Sequence, residues 1–165
     1  MIEIDSTIAG EKSNSYVSMD FAITYFDSRL YSGKWDAATV ENKTRSLLMA
    51  ASLIDSHCIF FGERYYDSQN LEFPRKLIAS DKVPSIPRDI FKAQCEMSLA
   101  LLEKNRVQDS QTLGISSVSV GPIEMDFDKS FKSNVFPDIV MELLARYGTI
   151  KERETNSVKF VRLVR

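Results

Sequence analysis

Val40, Thr44, Leu47, Leu48, Ala51, Ile54, Asp55 and Cys58 recur at the spacing of one helical face. The segment opens at Trp35 and Asp36 and stops before Gly62, so the periodic run covers about 24 residues. A helix of this length with one apolar stripe must bury that stripe against other elements. It therefore predicts a core spine with further helices packed along it. Asp36 is placed to cap it, and Trp35 just before the cap is placed to staple onto Val40.

Helical patterns on either side supply the partners. Ser18 reads as an N-cap, and Phe21, Ala22, Tyr25, Phe26, Arg29 and Leu30 follow at helical spacing. This predicts a first helix from Met19 to Tyr31, stopping near Gly33. Pro87 suits the first turn of another helix, whose stripe is Ile90, Gln94, Met97, Ser98, Leu101 and Leu102 and which fades after Asn105. Pro137 opens a short last helix with Ile139, Val140, Leu143, Leu144 and Tyr147 inward, and Gly148 is placed to close it. From Glu63 to Pro87, Pro74, Pro84 and Pro87 break the periodicity, which predicts a long ordered loop pinned by Tyr65, Tyr66 and Phe73.

Residues 113–128 change period. Ile123, Met125 and Phe127 alternate with Glu124, Asp126 and Asp128, and Val118 and Val120 precede them. This predicts a β-hairpin, although Pro122 fits a standard two-residue turn badly. The expected fold is mainly α: a small bundle of about four helices with a projecting β-hairpin and extended termini. Residues 1–148 form the helical domain, and 149–165 form a linker (KERETNS) and a C-terminal tail.

The tail is Val158, Lys159, Phe160, Val161, Arg162, Leu163, Val164 and Arg165. As a strand it mixes apolar and basic residues on both faces; as a helix it separates a basic stripe from an apolar one. Either form leaves large apolar side chains wanting a partner, each worth roughly 1.5–3 kcal/mol when buried. The full chain of 165 residues carries 21 basic and 23 acidic side chains, a net charge of -2. Setting aside Lys159, Arg162 and Arg165 leaves 18 basic against 23 acidic, a body at -5. An acidic body argues against a protein that grips phosphate backbones through broad basic surface.

Motifs for chemistry are thin. His57 is the one histidine, and its neighbour Cys58 diverges from it on a helix, so neither a metal site nor a catalytic pair is expected. Cys58 and Cys95 read as buried thiols in a reducing compartment. The start MIEIDSTIAGEKSNS has no basic region followed by an apolar run, and no stretch approaches the roughly 20 apolar residues of a membrane span. Arg64-Tyr65-Tyr66 suits either stacking of single-stranded bases or anchoring of the loop, with anchoring the commoner use. No catalytic residue, cofactor or metal is expected.

Several pieces, in order, resemble a known group: NSYVSMDFAITYF (14–26), FFGERY (60–65), LEFPR (71–75), IPRDIFKAQCEMSLALL (86–102) and SSVSVGPIEMDFD (116–128). Together they resemble phage head-to-tail connector (adaptor) proteins, of the group labelled DnaT-like single-stranded-DNA-binding proteins. Phe73 stands where Trp is common in that group. The resemblance implies a structural virion protein at the phage neck, assembled in the host cytoplasm. It implies a homo-oligomeric ring, expected to be a dodecamer, beneath the portal protein and around the DNA channel, with a further connector or tail protein below. On this view the tail docks on the portal. Val118, Val120, Ile123, Met125 and Phe127 pack between subunits, and Glu124, Asp126 and Asp128 face the channel. The alternative is a single-stranded-DNA-binding protein of primosomal type.

Overall fold

The computed structural model describes residues 3–76, 85–106, 117–120, 123–126 and 135–151, with backbone alone for 117–120 and 123–126. Its centre is one helix, Arg88–Glu103, the fourth in chain order and named α4. Pro87 precedes it at φ -57°, already set for a helical start. Ile90, Ala93, Gln94, Cys95, Glu96, Met97, Ser98, Leu99 and Ala100 are all buried, so α4 is enclosed on nearly every side. The other helices pack around it: α1 (Met19–Asp27), the single turn α2 (Gly33–Asp36), α3 (Val40–His57) and α5 (Asp138–Leu144). The mainly α expectation holds, with five helices rather than about four among the described residues.

Six short strands make three two-stranded antiparallel ladders among the described residues. Strand β1 (Cys58–Phe60) pairs with β6 (Gly148–Ile150), with Ile59 opposite Thr149 and Phe60 opposite Gly148. Strand β2 (Glu63–Arg64) pairs with β3 (Arg75–Lys76) inside the segment expected to be loop throughout. Strands β4 (Ser117–Val120) and β5 (Ile123–Asp126) form the expected hairpin.

Two apolar clusters meet at α4. One gathers Tyr16, Ile54, Phe60, Phe73, Ile90, Met97, Val140 and Leu144. The other gathers Val17, Phe26, Trp35, Leu47, Cys95 and Leu99. Gln94 links the extended N-terminal segment to both. Its Oε1 accepts from the backbone N–H groups of Tyr16 (2.9 Å) and Val17 (3.1 Å). Its Nε2 donates to Ser15 Oγ (2.7 Å) and to the Leu47 carbonyl of α3 (2.9 Å). A fully buried amide is tolerated here because its hydrogen-bonding atoms are used.

Several boundaries differ from the periodic reading. Helix α1 starts as expected, with Ser18 Oγ accepting from Phe21 N–H (3.2 Å), but it ends at Asp27 rather than Tyr31. Asp36 does not cap α3. It closes the turn α2 and accepts from Ser32 Oγ (2.9 Å), while Thr39 Oγ1 caps α3 through Asn42 N–H (3.2 Å). Trp35 does not staple onto Val40, which is 70% exposed; it stacks on Phe26 at a 4.2 Å ring separation. Helix α3 stops at His57, where Cys58 turns extended to join β1, so the spine is 18 residues. Ile139 is exposed, not inward. Gly148 does not close α5. It lies in β6, and the chain continues in strand to Ile150, past the expected domain boundary.

Candidate functional site

The segment after β1 folds back on itself around Gln69 and Arg75. Gln69 is buried, its Oε1 accepting from Tyr66 N–H (3.0 Å) and its Nε2 donating to the carbonyls of Leu71 (2.7 Å) and Pro74 (3.1 Å). Arg75 donates from Nε to the Phe61 carbonyl (2.9 Å), from Nη2 to those of Phe60 (3.3 Å) and Gly62 (2.5 Å), and from Nη1 to Glu72 Oε2 (2.5 Å). A planar five-donor group suits this task, and it is thereby committed to holding the loop. Phe73 pins the far side, edge-on to Tyr16, Phe60 and Tyr147. The expected anchoring is thus carried by Phe73.

Alongside the β2–β3 ladder this leaves a cleft of about 660 Å³, lined by residues 62–67, 72, 75 and 76. Tyr66 is 50% exposed beside it. Its ring sits edge-on to Tyr65 at 4.9 Å, and Lys76 Nζ lies 5.3 Å from the Tyr65 ring centroid. Glu63 and Lys76 are cross-strand partners, as are Arg64 and Arg75. Glu63, Asp67 and Glu72 offset Arg64, Arg75 and Lys76, so the lining is charge-balanced. Arg64 Nη1 also donates to the Gln69 carbonyl (3.3 Å), but this single bond leaves its other donors, so Arg64 and Lys76 are the lining cations with donors left for a ligand. The arrangement offers an aromatic face with two cations, which suits a stacked planar group with an anion attached.

Asp55 of α3 sits behind the cleft. Its Oδ1 accepts from Tyr16 Oη and its Oδ2 from the Glu72 backbone N–H (3.2 Å). Burial, the largest influence, pushes its carboxyl up to about 6, while the Tyr16 hydrogen bond opposes that shift. Burial also pushes the thiols of Cys58 and Cys95 up to about 12. His57 Nδ1 lies near Ser56 Oγ (2.9 Å) and the Leu53 carbonyl (3.1 Å), with its ring edge-on to Phe136. Among the described residues, no cluster of three or more metal-ligating side chains occurs. Among them too, no helix is long and apolar enough to cross a membrane.

The hairpin register pairs Val118 with Met125 and Val120 with Ile123, and Glu124 and Asp126 with Ser119 and Ser117. Opposed positions share a face of an antiparallel ladder, so apolar positions oppose apolar ones, as the alternation required. Phe127, Asp128 and the whole tail from Val158 to Arg165 lie outside the described residues.

A family model described as "Putative DnaT-like ssDNA binding protein" matches residues 2–165. The chain belongs to this DnaT-like family. No curated protein and no solved structure matches it. For a member of a DnaT-like family, the Tyr65–Tyr66–Lys76 cleft is the described feature whose chemistry fits the family description. The sequence flagged Arg64, Tyr65 and Tyr66 together but not Lys76. Nine residues separate Lys76 from Tyr66 in the chain, and the β2–β3 pairing brings it alongside.

Proposed function

We propose that this chain is a non-enzymatic, DNA-contacting protein that binds single-stranded DNA through the 62–76 cleft. Family membership supports this reading. The structural observation that carries it is Tyr66, half-exposed beside Tyr65 and Lys76. A base stacks on the tyrosine face, and Arg64 and Lys76 meet the flanking phosphates. Base–aromatic stacking contributes about 1–3 kcal/mol per base and tolerates any sequence. Tyr66→Ala is expected to lower affinity for a fluorescent oligothymidylate about tenfold or more in anisotropy titrations. Since Tyr66 is exposed, the thermal midpoint should stay within a few degrees of wild type. Unchanged affinity with a folded variant would remove the cleft from the site.

A second reading is favoured by charge. The body at -5, and the balanced cleft, suit a surface that DNA passes without sticking. On this reading the chain is a head-to-tail adaptor, a ring beneath the portal that surrounds the DNA channel in the virion neck. The apolar hairpin positions Val118, Val120, Ile123, Met125 and Phe127 pack between subunits. Glu124, Asp126 and Asp128 face the channel, and residues 158–165 dock on the portal. Mixing the chain with portal rings and imaging the product by electron microscopy tests this. A second ring on the portal, lost when residues 158–165 are deleted, is the expected result. Bare portal rings at high adaptor concentration would overturn it.

A further inference from the structure

The 62–76 cleft carries the carboxylates of Glu63, Asp67 and Glu72 among its lining. An acid in a DNA-binding cleft weakens the hold on phosphates unless it meets a donor on the nucleotide. Glu72 is accounted for, because it accepts from Arg75 Nη1 (2.5 Å). Glu63 is exposed, and among the described residues it makes no ion pair. The β2–β3 ladder sets its place. Glu63 lies opposite Lys76, and the antiparallel contact continues past Arg64, where Tyr65 N–H donates to the Pro74 carbonyl (3.0 Å). Residues two apart on a strand share a face, and so do opposed residues of an antiparallel pair. Glu63, Tyr65 and Lys76 therefore belong to one face, in keeping with the Lys76 ammonium 5.3 Å from the Tyr65 ring centroid. Asp67 lies beyond the ladder, in the turn after Tyr66.

Tyr65 is met by Lys76 and, edge-on, by Tyr66, so the half-exposed Tyr66 ring is the stacking surface. Stacking accepts any base, and bases are told apart by their edges. The Glu63–Lys76 pair presents two acceptor oxygens beside a donor ammonium. Opposed strand residues lie roughly 4.5–5.5 Å apart, and Glu63 lies roughly 7 Å along the strand from Tyr65, so both heads reach the edge of one stacked base. Of the four DNA bases, only guanine sets two N–H donors, N1–H and N2–H, side by side and next to an acceptor, O6. Adenine and cytosine turn a ring-nitrogen lone pair toward the second carboxylate oxygen, and thymine turns carbonyls toward it. We infer that the cleft prefers guanine, Glu63 accepting from N1–H and N2–H while Lys76 donates to O6. The inference rests on the single-strand reading above. One of the three ammonium donors serves O6, so Lys76 still offsets a phosphate.

Anisotropy titrations of the full chain test this, using a labelled short oligothymidylate and versions of it with one central dG, dA or dC. The dG strand should bind about tenfold more tightly than the other three, the scale of one two-pronged base contact. Deoxyinosine in place of dG lacks the 2-amino group and should cut that gain to about threefold. Glu63→Gln puts an amide donor where an acceptor is needed. It should reduce the dG preference to about twofold or less, while oligothymidylate binds more tightly because a negative charge has left the cleft. General damage to β2 would weaken both strands together, and at this exposed position the thermal midpoint should stay within a few degrees of wild type. Equal affinity for all four strands would overturn the guanine preference and leave the single-strand reading standing. A dG preference that survives Glu63→Gln would overturn the role given to Glu63. If no strand binds at low salt, the single-strand reading falls and this inference falls with it.

Discussion

Asp55 shows what a periodic pattern conveys about a residue and what it omits. Its spacing places it on the inward face of α3, and it is inward. Its role depends on Tyr16 and Glu72, which lie 39 and 17 residues away, and no local pattern names them. Gln94 is the same case: it was legible as a core position, but the backbone groups it satisfies lie 77 and 78 residues off. Burial raises the folded-state pKa of Asp55 to about 6 from 3.8. The folded chain thus holds this proton more tightly than the unfolded chain does. The resulting stability is fully present below pH 3.8 and is lost as pH rises through 6. Two units correspond to roughly 3 kcal/mol at 1.36 kcal/mol per unit, an upper figure for a carboxylate that keeps two hydrogen bonds. Urea unfolding of wild type and Asp55→Asn, compared at pH 4.5 and pH 7.5, should reveal this. The wild type should lose about 1–3 kcal/mol relative to the variant across that interval. A constant difference between the two proteins would show that Asp55 takes up no extra proton on folding.

At the scale of elements, starts were more legible than stops. Ser18, Pro87 and Pro137 begin helices because capping and proline geometry are local. Stops depended on what the next segment meets. Gly148 is the clearest instance, since glycine after a helix ordinarily reads as a closing residue. Here the reason for glycine is the approach of β1. A Cβ at this position would lie 2.4 Å from the Ile59 carbonyl oxygen and 2.9 Å from Phe60 Cα, both backbone atoms that cannot move aside alone. Gly148→Ala should therefore separate β1 from β6 and cost about 3 kcal/mol or more, as overpacking against fixed atoms does. Gly33 provides the control: a Cβ there meets nothing within 4 Å. Gly33→Ala should be neutral or stabilising by about 0.5–1 kcal/mol. Thermal unfolding of the two variants should move in opposite directions from wild type, or at least differ by several degrees. Equal midpoints would show that β6 does not approach β1 this closely.

For the whole molecule, net charge bears on the functional question more directly than fold does. The mainly α class followed from periodicity, because long amphipathic runs must find one another. The cleft did not, because it is built by two two-residue strands with no sequence period. What the cleft can do with DNA is limited by its cations. With Arg75 committed internally and Arg64 giving one donor to the Gln69 carbonyl, Arg64 and Lys76 are left for phosphates, so at most about two counterions should be released on binding a single strand. At about 0.7 per phosphate contact, the logarithm of affinity should fall with the logarithm of salt at a slope near -1.4. Between 50 and 200 mM salt this is a loss of about sevenfold. If Lys159, Arg162 and Arg165 also engage the strand, about five contacts give a slope near -3.5 and a loss on the order of a hundredfold. The slope therefore reports which part of the chain holds DNA. Anisotropy titrations with the full chain and with a variant ending at Ser157 should give the shallow slope for both if the cleft alone binds. They should give a steep slope that becomes shallow on truncation if the tail contributes. Absence of binding to either form at 50 mM salt would sink the single-strand reading and leave the adaptor, whose acidic body requires DNA to pass without being held.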